Sequence, residues 1–402
     1  MRILHVMKWL SSSENTGGKI RAFRIGKALS SFARVDAAGF VLSGEEPTGN
    51  ENHLSHYHRL YPFPMLRGVP RMREVLTSFT QGLSLRTTRF LPGTFGIFLK
   101  RILRENRYDA IQVEELPLMA SLHCVPLDIP VIFSSHNVES ELSYRLFSNR
   151  NPFIKRLAAM ESRRTMQEEI NALARARVSV AVSERDRDLM LTLCRGRISD
   201  IRVLPNCASD RFQPSPQGLP GRGVLTVGSF GWYPNQDGLM WFVDQVLPLL
   251  RKAFPGEIIR VAGSGIGRTL RKRLAHQEIR VFPDVPDMLP FLQEARLLFV
   301  PLRIGGGTRI KILEAWAAGL PVVSTSIGAE GLPYRPGVNM LIADDAKTFA
   351  AAIGRLLDDD GLYGMLRSEG LKTSQNFRWS GMSTPFADIY KNVLKNREIA
   401  SL

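Results

Sequence analysis

The sequence predicts an α/β protein with two domains, each built on a doubly wound parallel β-sheet. Short, apolar, β-branched segments alternate with longer amphipathic segments along most of the chain. Several of the apolar segments have no polar face, as strands covered on both sides of a parallel sheet require. A segment rich in proline and glycine interrupts this alternation once, after which it starts again. A chain of 402 residues also suits two domains of about 200 residues each.

The first half of the chain contains six candidate strands. Helical patterns lie between them, beginning with the amphipathic residues 17–32. The strands are 2–7, 35–42, 108–113, 130–135, 177–182 and 201–205. Residues 209–223 then combine three prolines with three glycines and show no periodicity. They predict a linker, with an N-terminal domain over 1–208 and a second domain over 209–379.

The second half repeats the pattern. Its helical segments include residues 237–254 and 310–319. Its candidate strands are 223–229, 257–263, 278–283, 295–301, 320–326 and 339–344. Ligands of doubly wound sheets bind beyond the carboxyl ends of the strands. For two such domains, the expected site is therefore a cleft in which they face each other.

Composition argues against several functional classes. A hydrophobic content of 44% and a charged content of 23% are typical of globular proteins. No apolar run reaches the roughly 18 to 20 residues of a membrane span, and the N-terminus lacks the apolar core of a signal peptide. Cys124, Cys194 and Cys207 have no metal-ligand spacing. These features favour reduced thiols and a cytoplasmic protein without a bound metal.

The net charge of +15 is concentrated in residues 59–107, where nine arginines and one lysine face two glutamates. Bulky apolar residues recur there at roughly helical spacing: Val75, Leu76, Phe79, Leu83, Phe95, Ile97, Phe98, Leu99, Ile102 and Leu103. This mixture suits a helix on an anionic membrane surface, but it equally suits a solvated helical face over the domain's own core. Nucleic acid is disfavoured because the chain has no zinc-finger, helix-turn-helix or RNA-binding aromatic motif.

Residues 303–332, RIGGGTRIKILEAWAAGLPVVSTSIGAEGL, are the most organised stretch of the chain. A candidate strand ends near Pro301, and a helix is predicted to begin at Thr308 or Arg309. Glycines allow the backbone to approach a ligand closely, and a helix N-terminus favours anions. Arg309 and Lys311 add charge for phosphate oxygens, and Glu314 can accept hydrogen bonds from a ribose diol. The stretch predicts a nucleoside diphosphate site, the alternative being a structural strand–helix turn.

The segment GGGTRIKILEAWAAGLPVVSTSIGAEGL resembles the donor-site signature of retaining glycosyltransferases of family 4, which have the GT-B fold. The resemblance extends over nearly the whole chain. Further similar segments are 16–29, 134–140, 181–190, 203–209, 224–242, 282–301 and 378–394. It implies that residues of about 380–402 form a helix that crosses back to the N-terminal, acceptor-binding domain. It also implies that His136 in SSHN contacts the donor sugar, for which the alternative is a capping histidine.

The sequence departs from the family at two places. The family carries two glutamates separated by seven residues; the second corresponds to Glu314, and the first falls at Gly306. The usual arginine and lysine of the first donor-domain loop are also missing from residues 227–238. Arg309 and Lys311 are the natural substitutes for these cations. Backbone N–H groups of Gly305, Gly306 and Gly307 can bind the sugar hydroxyls, so the chain reads as a variant branch of the family.

The remaining candidates each have a structural alternative. Gly17 and Gly18 could approach the diphosphate or form a tight turn, and Glu114 and Glu115 could orient an acceptor hydroxyl or face solvent. On the donor side, Thr308 lies beside the glycines, and Trp232 and Asn235 could line the donor pocket, with a core role equally open for Trp232. Asn137 and Glu139 could support His136 or cap a helix. Ser183 is predicted to be a structural N-cap, Asn206 to lie at the interdomain connection and Asp287 to cap a helix.

The resemblance implies a metal-independent glycosyltransferase that moves a sugar, with retention, from a nucleotide diphosphate sugar to an acceptor hydroxyl. Cell-surface polysaccharide or glycolipid synthesis is the expected setting, with a glycan or lipid-linked acceptor, no cofactor, and a peripheral position on the inner face of the membrane. Two alternatives stay open. One is a nucleotide-sugar epimerase of the same fold, and the other is a non-catalytic nucleotide-sugar-binding protein, which the missing glutamate at Gly306 favours.

Overall fold

The chain forms two compact units, each with its own parallel sheet. The computed structural model describes residues 1–10, 16–42, 54–65, 72–90, 93–125, 128–147, 152–196, 200–215 and 221–400. Unit 1 comprises Met1–Pro205 together with Met382–Leu402, and unit 2 comprises Asn206–Gly381. The predicted fold class, two doubly wound α/β units, is confirmed.

Unit 1 has a seven-stranded sheet. Its strands are β1 (Arg2–Trp9), β2 (Arg34–Leu42), β3 (Arg59–Met65), β4 (Ala110–Glu114), β5 (Val131–Ser134), β6 (Val178–Ala181) and β7 (Ile201–Val203). Its helices are α1 (Gly17–Ser30), α2 (Met72–Gln81), α3 (Leu85–Arg89), α4 (Gly93–Glu105), α5 (Leu116–Met119), α6 (Glu139–Phe147), α7 (Pro152–Arg175) and α8 (Glu184–Leu193). All strands pair in parallel in the order β3-β2-β1-β4-β5-β6-β7.

Strand β3 is not among the strands predicted from sequence, because its sequence RLYPFPM contains two prolines. Proline lacks an N–H group and is normally found only in edge strands. Pro62 and Pro64 are two residues apart, so their nitrogens point to the same side of the strand. Among the described strands β3 is the edge of the sheet and β2 is its one neighbour, so that side needs no donor.

Unit 2 has a six-stranded sheet. Its strands are β8 (Val224–Ser229), β9 (Ile259–Ser264), β10 (Arg280–Pro283), β11 (Leu297–Val300), β12 (Val322–Ser324) and β13 (Leu341–Ile342). Its helices are α9 (Tyr233–Trp241), α10 (Leu247–Ala253), α11 (Arg268–Ala275), α12 (Leu289–Glu294), α13 (Ile310–Ala317), α14 (Ser326–Ala329), α15 (Ala346–Asp358) and α16 (Asp360–Ser374). The strand order is β10-β9-β8-β11-β12-β13, again parallel throughout.

The strand orders locate one switch point in each sheet. In unit 1 the chain moves outward from β1 to β2 and β3 and then returns to place β4 on the other side of β1. In unit 2, β11 returns to the other side of β8 in the same way. Ligands of doubly wound sheets bind beyond the carboxyl ends of the strands at such points. The two regions of interest are therefore the loops that follow β1 and β4, and those that follow β8 and β11.

The last helix, α17 (Ser383–Ala400), belongs to unit 1. The Tyr390 hydroxyl donates a hydrogen bond of 2.8 Å to the side-chain oxygen of Gln112 in β4, and both side chains are fully buried. The chain thus returns to the N-terminal unit after unit 2 is complete, as the family resemblance implies for this helix.

The basic segment 59–107 contributes mainly to the core of unit 1. Phe95, Leu99 and Ile102 of α4 are at most 1% exposed, and Phe95 packs on Phe40 at 4.4 Å between ring centroids. Leu76 on α2 and Ile97 on α4 are exposed instead, by 59% and 69% of their surfaces. The expectation that the segment's apolar side chains face a membrane is therefore wrong for most of α4, while Arg67 and Arg71 lie outside the described residues.

Candidate functional site

The glycine loop of unit 2 connects β11 to α13 at the switch point of the sheet. Gly307 has φ of 64°, a conformation that glycine adopts without steric cost. A Cβ at Gly305 would lie 2.1 Å from a guanidinium nitrogen of Arg309, so only glycine leaves room for that side chain. Helix α13 begins at Ile310, with Arg309 at its N-cap, one residue later than the predicted start.

The Arg309 guanidinium is buried and turned back onto its own loop. It donates hydrogen bonds to the carbonyl oxygens of Gly306 (2.5 Å), Gly307 (2.7 Å) and Ile327 (3.2 Å). These contacts hold the loop in place beneath the helix N-terminus. The structure therefore gives Arg309 a loop-holding role, and its role as a phosphate ligand stays a prediction.

Lys311 lies where the first turn of α13 meets the end of β8. Its ammonium donates to the Asn235 side-chain oxygen at 3.3 Å, and a Cβ at Gly228 would approach its Nζ to 2.8 Å. Burial lowers the pKa of Lys311 to about 7, aided by the charge of Arg309 and opposed by that of Glu314. Asn235 is held by a 2.8 Å hydrogen bond from its side-chain nitrogen to the Ser229 carbonyl oxygen.

The other predicted donor-site residues also belong to unit 2, but they differ from one another in hydrogen bonding and in exposure to solvent. Thr308 accepts a 2.8 Å hydrogen bond from the buried Asn206 side chain, which therefore supports the glycine loop. Glu314 is half-buried on α13. Trp232 precedes α9 and is 38% exposed, so the core role that had been left open for it is wrong. Asp287 accepts from the Leu289 N–H at 3.0 Å and caps α12 as predicted.

His136 follows β5 at the switch-point edge of unit 1. Its Nε2 lies 2.9 Å from an oxygen of Glu114, the last residue of β4. A Cβ at Gly18, near the start of α1, would lie 3.5 Å from His136 Nδ1 and 3.7 Å from a Glu115 oxygen. The structure thus brings together Gly18, Glu114, Glu115 and His136, while Gly17 is the exposed first residue of α1.

The adjacent carboxylates Glu114 and Glu115 face different surroundings. Glu114 is fully buried, so its solvent-facing alternative is wrong. Burial alone raises the pKa of Glu114, but hydrogen bonds from His136 and His5 hold that pKa well below its usual range. Glu115 has φ of 71°, which is rare for a residue with a side chain and is most common at functional sites.

Ion pairs surround Glu115. Its carboxylate lies 3.2 Å from Lys8 Nζ and 3.8 Å from Arg86, and the latter also pairs with Glu139. Burial raises the pKa of Glu115, yet the charges of Lys8, His136 and Arg86 bring it below its usual value. At neutral pH Glu115 is therefore a carboxylate beside His136.

The helix caps near His136 are partly those expected. Ser183 accepts from the Asp186 N–H at 3.1 Å and is the predicted N-cap of α8. The cap of α6 comes instead from α7, because Glu169 accepts the N–H groups of Glu139 at 2.5 Å and Ser140 at 3.1 Å. Asn137 donates to Glu139 at 3.4 Å. Glu169 carries no local signal of this role, since it lies 30 residues from Glu139.

Within the ranges that the structure describes, no group of three or more His, Cys, Asp or Glu side chains is placed to hold a metal ion. In the same ranges, no helix combines the length and the apolar character needed to cross a membrane. Cys194 and Cys207 are buried thiols.

Two sequence families match the two units. The family described as "Glycosyltransferase Family 4" matches residues 40–210, and the one described as "Glycosyl transferases group 1" matches residues 221–359. The second match contains the glycine loop and Glu314. The chain is a family 4-type glycosyltransferase with the GT-B fold.

Curated relatives of this glycosyltransferase include two bacterial proteins. An uncharacterised 44.6 kDa protein in the cps region of Klebsiella pneumoniae is 26% identical over 63% of this chain and 67% of its own length. The lipopolysaccharide core biosynthesis mannosyltransferase LpsB of Rhizobium meliloti is 29% identical over 48% of this chain and 61% of its own length. The matches thus span about two thirds of these relatives.

Solved structures agree on the fold of this glycosyltransferase. Sucrose-phosphate synthase from Thermosynechococcus elongatus superposes with a TM-score of 0.72 and 16% identity, covering 98% of this chain and 100% of that one. HepE of Anabaena in complex with UDP-glucose gives a TM-score of 0.68 at 15% identity, with 98% and 100% covered. At these identities the likeness establishes the fold.

Proposed function

We propose that this glycosyltransferase moves a sugar, with retention of configuration, from a nucleotide diphosphate sugar to a hydroxyl of a cell-surface polysaccharide or glycolipid precursor. The observation that carries the proposal is the meeting of Lys311, Asn235 and the glycine loop at the switch point of unit 2. The names of the relatives support the setting, because they include a lipopolysaccharide core mannosyltransferase and an O-antigen chain mannosyltransferase.

In this proposal the protein itself stabilises the leaving diphosphate, without a metal or cofactor. The N–H groups at the start of α13 and the Lys311 ammonium supply positive charge where the phosphate gains negative charge. The N–H groups of Gly305, Gly306 and Gly307 take the sugar hydroxyls that a glutamate at the position of Gly306 would otherwise bind. His136 and Trp232 are proposed to contact the transferred sugar and the donor, respectively.

The test is turnover of a panel of nucleotide sugars, with and without lipid-linked acceptors. We expect one donor to release nucleoside diphosphate faster when acceptor is present, with the sugar recovered on the acceptor. Release without an acceptor requirement, accompanied by an epimerised free sugar, would establish the epimerase instead. Tight donor binding with neither product would establish a non-catalytic binding protein.

Glu314 should contribute to binding of the free nucleotide as well as of the sugar donor. We propose that its half-buried carboxylate accepts hydrogen bonds from the ribose diol. Glu314→Gln should then weaken both ligands by a similar factor, about 10-fold for one charged hydrogen bond. Calorimetry with the nucleoside diphosphate measures this, and Glu330→Gln is the control. An unchanged affinity for the nucleotide would make Glu314 a structural residue.

We propose further that the protein acts in the cytoplasm at the inner face of the membrane, docked through the exposed face of α4. Lys100, Arg101 and Arg104 are exposed on the same side of the helix as Ile97. The Arg101 guanidinium is 3.8 Å from Glu105, so one acid partly offsets this charge. Cations beside one exposed apolar residue suit a surface-bound rather than an inserted helix.

Anionic vesicles should therefore bind the protein in a salt-dependent manner. Each basic residue near such a surface contributes about 1 kcal/mol, and screening acts over a Debye length of about 8 to 10 Å. The triple variant Lys100→Glu, Arg101→Glu, Arg104→Glu should lose vesicle binding in flotation assays while keeping donor turnover. A variant in which Arg71, Arg73, Arg101 and Arg104 are all replaced by glutamate should also lose vesicle binding and keep donor turnover. Arg71 and the Arg73 side chain lie outside the described part of the chain.

The matched control reverses three exposed cations of unit 2: Lys252, Arg268 and Lys272. It changes the net charge by the same amount but leaves α4 intact, so vesicle binding should persist. Equal loss in both variants would show that total charge, and not the α4 face, drives the binding. Equal recovery on neutral and anionic vesicles would also contradict the proposal.

A further inference from the structure

Glu114 is the centre of a buried polar network that the proposed reaction does not yet use. Three side chains reach its carboxylate: His136 Nε2 at 2.9 Å, Gln112 Nε2 at 2.8 Å and His5 Nε2 at 3.3 Å. Glu114, Gln112 and His5 are completely buried, and the His136 side chain is 8% exposed. A buried carboxylate is expensive unless donors satisfy it, so the three contacts act as one unit.

Two tyrosines determine the direction of these hydrogen bonds. Tyr390 of α17 donates its hydroxyl to Gln112 Oε1 at 2.8 Å, so the Gln112 amide nitrogen is left to donate to Glu114. The Tyr57 hydroxyl lies 3.0 Å from His5 Nδ1, and by donating there it leaves the His5 Nε2 proton for Glu114. Gln112, His5 and His136 then all donate to the Glu114 carboxylate, and the two tyrosines donate from behind.

We propose that Glu114 is a positioning residue that holds the imidazole of His136 with its proton on Nε2 and its Nδ1 edge turned toward Gly18. This inference rests on the proposed function, in which His136 contacts the transferred sugar. A carboxylate bonded to one ring nitrogen fixes both the tautomer and the orientation of a histidine. Gln112 and Tyr390 act behind Glu114, so the returning helix α17 supports the geometry at His136.

The electrostatics agree with this role. The pKa of Glu114 lies well below its usual range, although burial opposes this, because His136 and His5 donate to it. Burial and the nearby Glu114 charge raise the pKa values of Tyr57 and Tyr390, which therefore remain donors. Glu115, with its partners Lys8 and Arg86, also interacts electrostatically with His136. Glu114 is thus a hydrogen-bond acceptor throughout the neutral pH range.

Nitrogen-15 NMR of the histidine side chains tests the tautomer directly. In the wild-type protein the neutral form of His136 should carry its proton on Nε2 and none on Nδ1. Glu114→Gln offers an amide that can donate or accept, so the variant should show a mixture of tautomers. Transfer should fall by about 10- to 100-fold in kcat, while affinity for free nucleoside diphosphate stays within about twofold, since Glu114 does not touch the nucleotide in the proposed function.

Two further variants accompany Glu114→Gln: a milder change in the same network and a control at another buried carboxylate. Tyr390→Phe removes one hydroxyl and frees the Gln112 amide to turn; it should give a smaller loss in kcat, about 3- to 10-fold, with partial mixing of the His136 tautomers. Asp36→Asn changes another buried carboxylate, which Arg2 and Tyr108 hold at the start of β2. It should lower stability without altering the His136 spectrum.

The outcomes separate the two proposals. A neutral wild-type His136 that carries its proton on Nδ1 overturns the inference whatever the activity. So does a Glu114→Gln variant, or a Tyr390→Phe variant if the first does not fold, with wild-type kcat and an unchanged spectrum. If the wild-type protein transfers no sugar, the proposed function fails, but the NMR comparison still decides whether Glu114 positions His136.

Discussion

Replacing Lys311 by methionine should reduce kcat/KM by about 10- to 150-fold, the value of one charged hydrogen bond of roughly 1.5 to 3 kcal/mol. The same change should make the protein more stable, by about 1 to 2 kcal/mol at pH 7, because a partly buried ammonium is replaced by an apolar side chain of similar length. Steady-state kinetics and thermal unfolding measure the two effects. Opposite signs identify a functional residue, since loss of a structural residue lowers both.

The pH dependence at Lys311 follows from its low pKa. The pKa falls from an ordinary 10.5 to about 7 in the folded protein, so between these values the unfolded chain binds the extra proton. Stability should therefore rise with pH across this window in the wild type, relative to Lys311→Met. Affinity for nucleoside diphosphate should fall over the same window, because the ammonium charge is lost. Comparison with Lys311→Met cancels the ionisation of the phosphate itself.

Lys252 provides the control for both experiments. It is an exposed lysine of the same unit, and Lys252→Met should leave kcat/KM and the pH dependence unchanged. If Lys311→Met behaves like Lys252→Met, the assignment of Lys311 to the diphosphate is wrong.

Arg309→Ala should lower both activity and stability. The guanidinium donates to three carbonyl oxygens, those of Gly306, Gly307 and Ile327, and its removal leaves these groups without that donor. We expect a loss of about 2 to 4 kcal/mol in the free energy of unfolding and at least a 100-fold loss in kcat/KM. A pure phosphate ligand would leave stability nearly unchanged, so chemical denaturation distinguishes the two roles.

Two further variants test whether the effect of Arg309→Ala comes from the lost hydrogen bonds to the loop. Arg309→Lys keeps the charge but not the fork of donors, and it should remain destabilised because one ammonium cannot reach all three carbonyls. Arg303→Ala removes an exposed arginine of the same loop that pairs with Asp237, and its cost should stay below about 1 kcal/mol. Wild-type stability in Arg309→Ala would contradict the loop-holding role.

Local sequence determined most of the fold. Strands that are apolar on both faces, such as VIFS in β5 and LLFV in β11, can only be buried in a covered parallel sheet, and their alternation with helices predicts the doubly wound arrangement. Strand β3 was not predicted, because its two prolines are compatible with strand pairing only at the edge of a sheet. Which strand forms the edge depends on strand order, a property of the whole sheet.

The glycine loop was also readable from sequence, because its glycines, cations and glutamate lie within ten residues of one another and one helix presents them together. Tertiary structure alone showed that Arg309 bonds to its own loop and that Lys311 meets Asn235, which is 76 residues away. Whether an arginine or lysine side chain contacts a ligand or a backbone carbonyl depends on how it is buried. Its neighbours along the sequence do not determine that burial.

Unit 1 shows the same division more sharply. The sequence identified His136 and the acidic pair at the end of β4, since polar residues at the carboxyl end of a strand are locally visible. It did not reveal that Glu114 turns inward, because the partners that make its burial tolerable come from distant parts of the chain. His5 is 109 residues from Glu114, and Tyr390 is 278 residues from Gln112. Only the sheet order and the return of α17 bring these groups together, since hydrogen bonds act over about 3 Å of space, however far apart their partners lie along the chain.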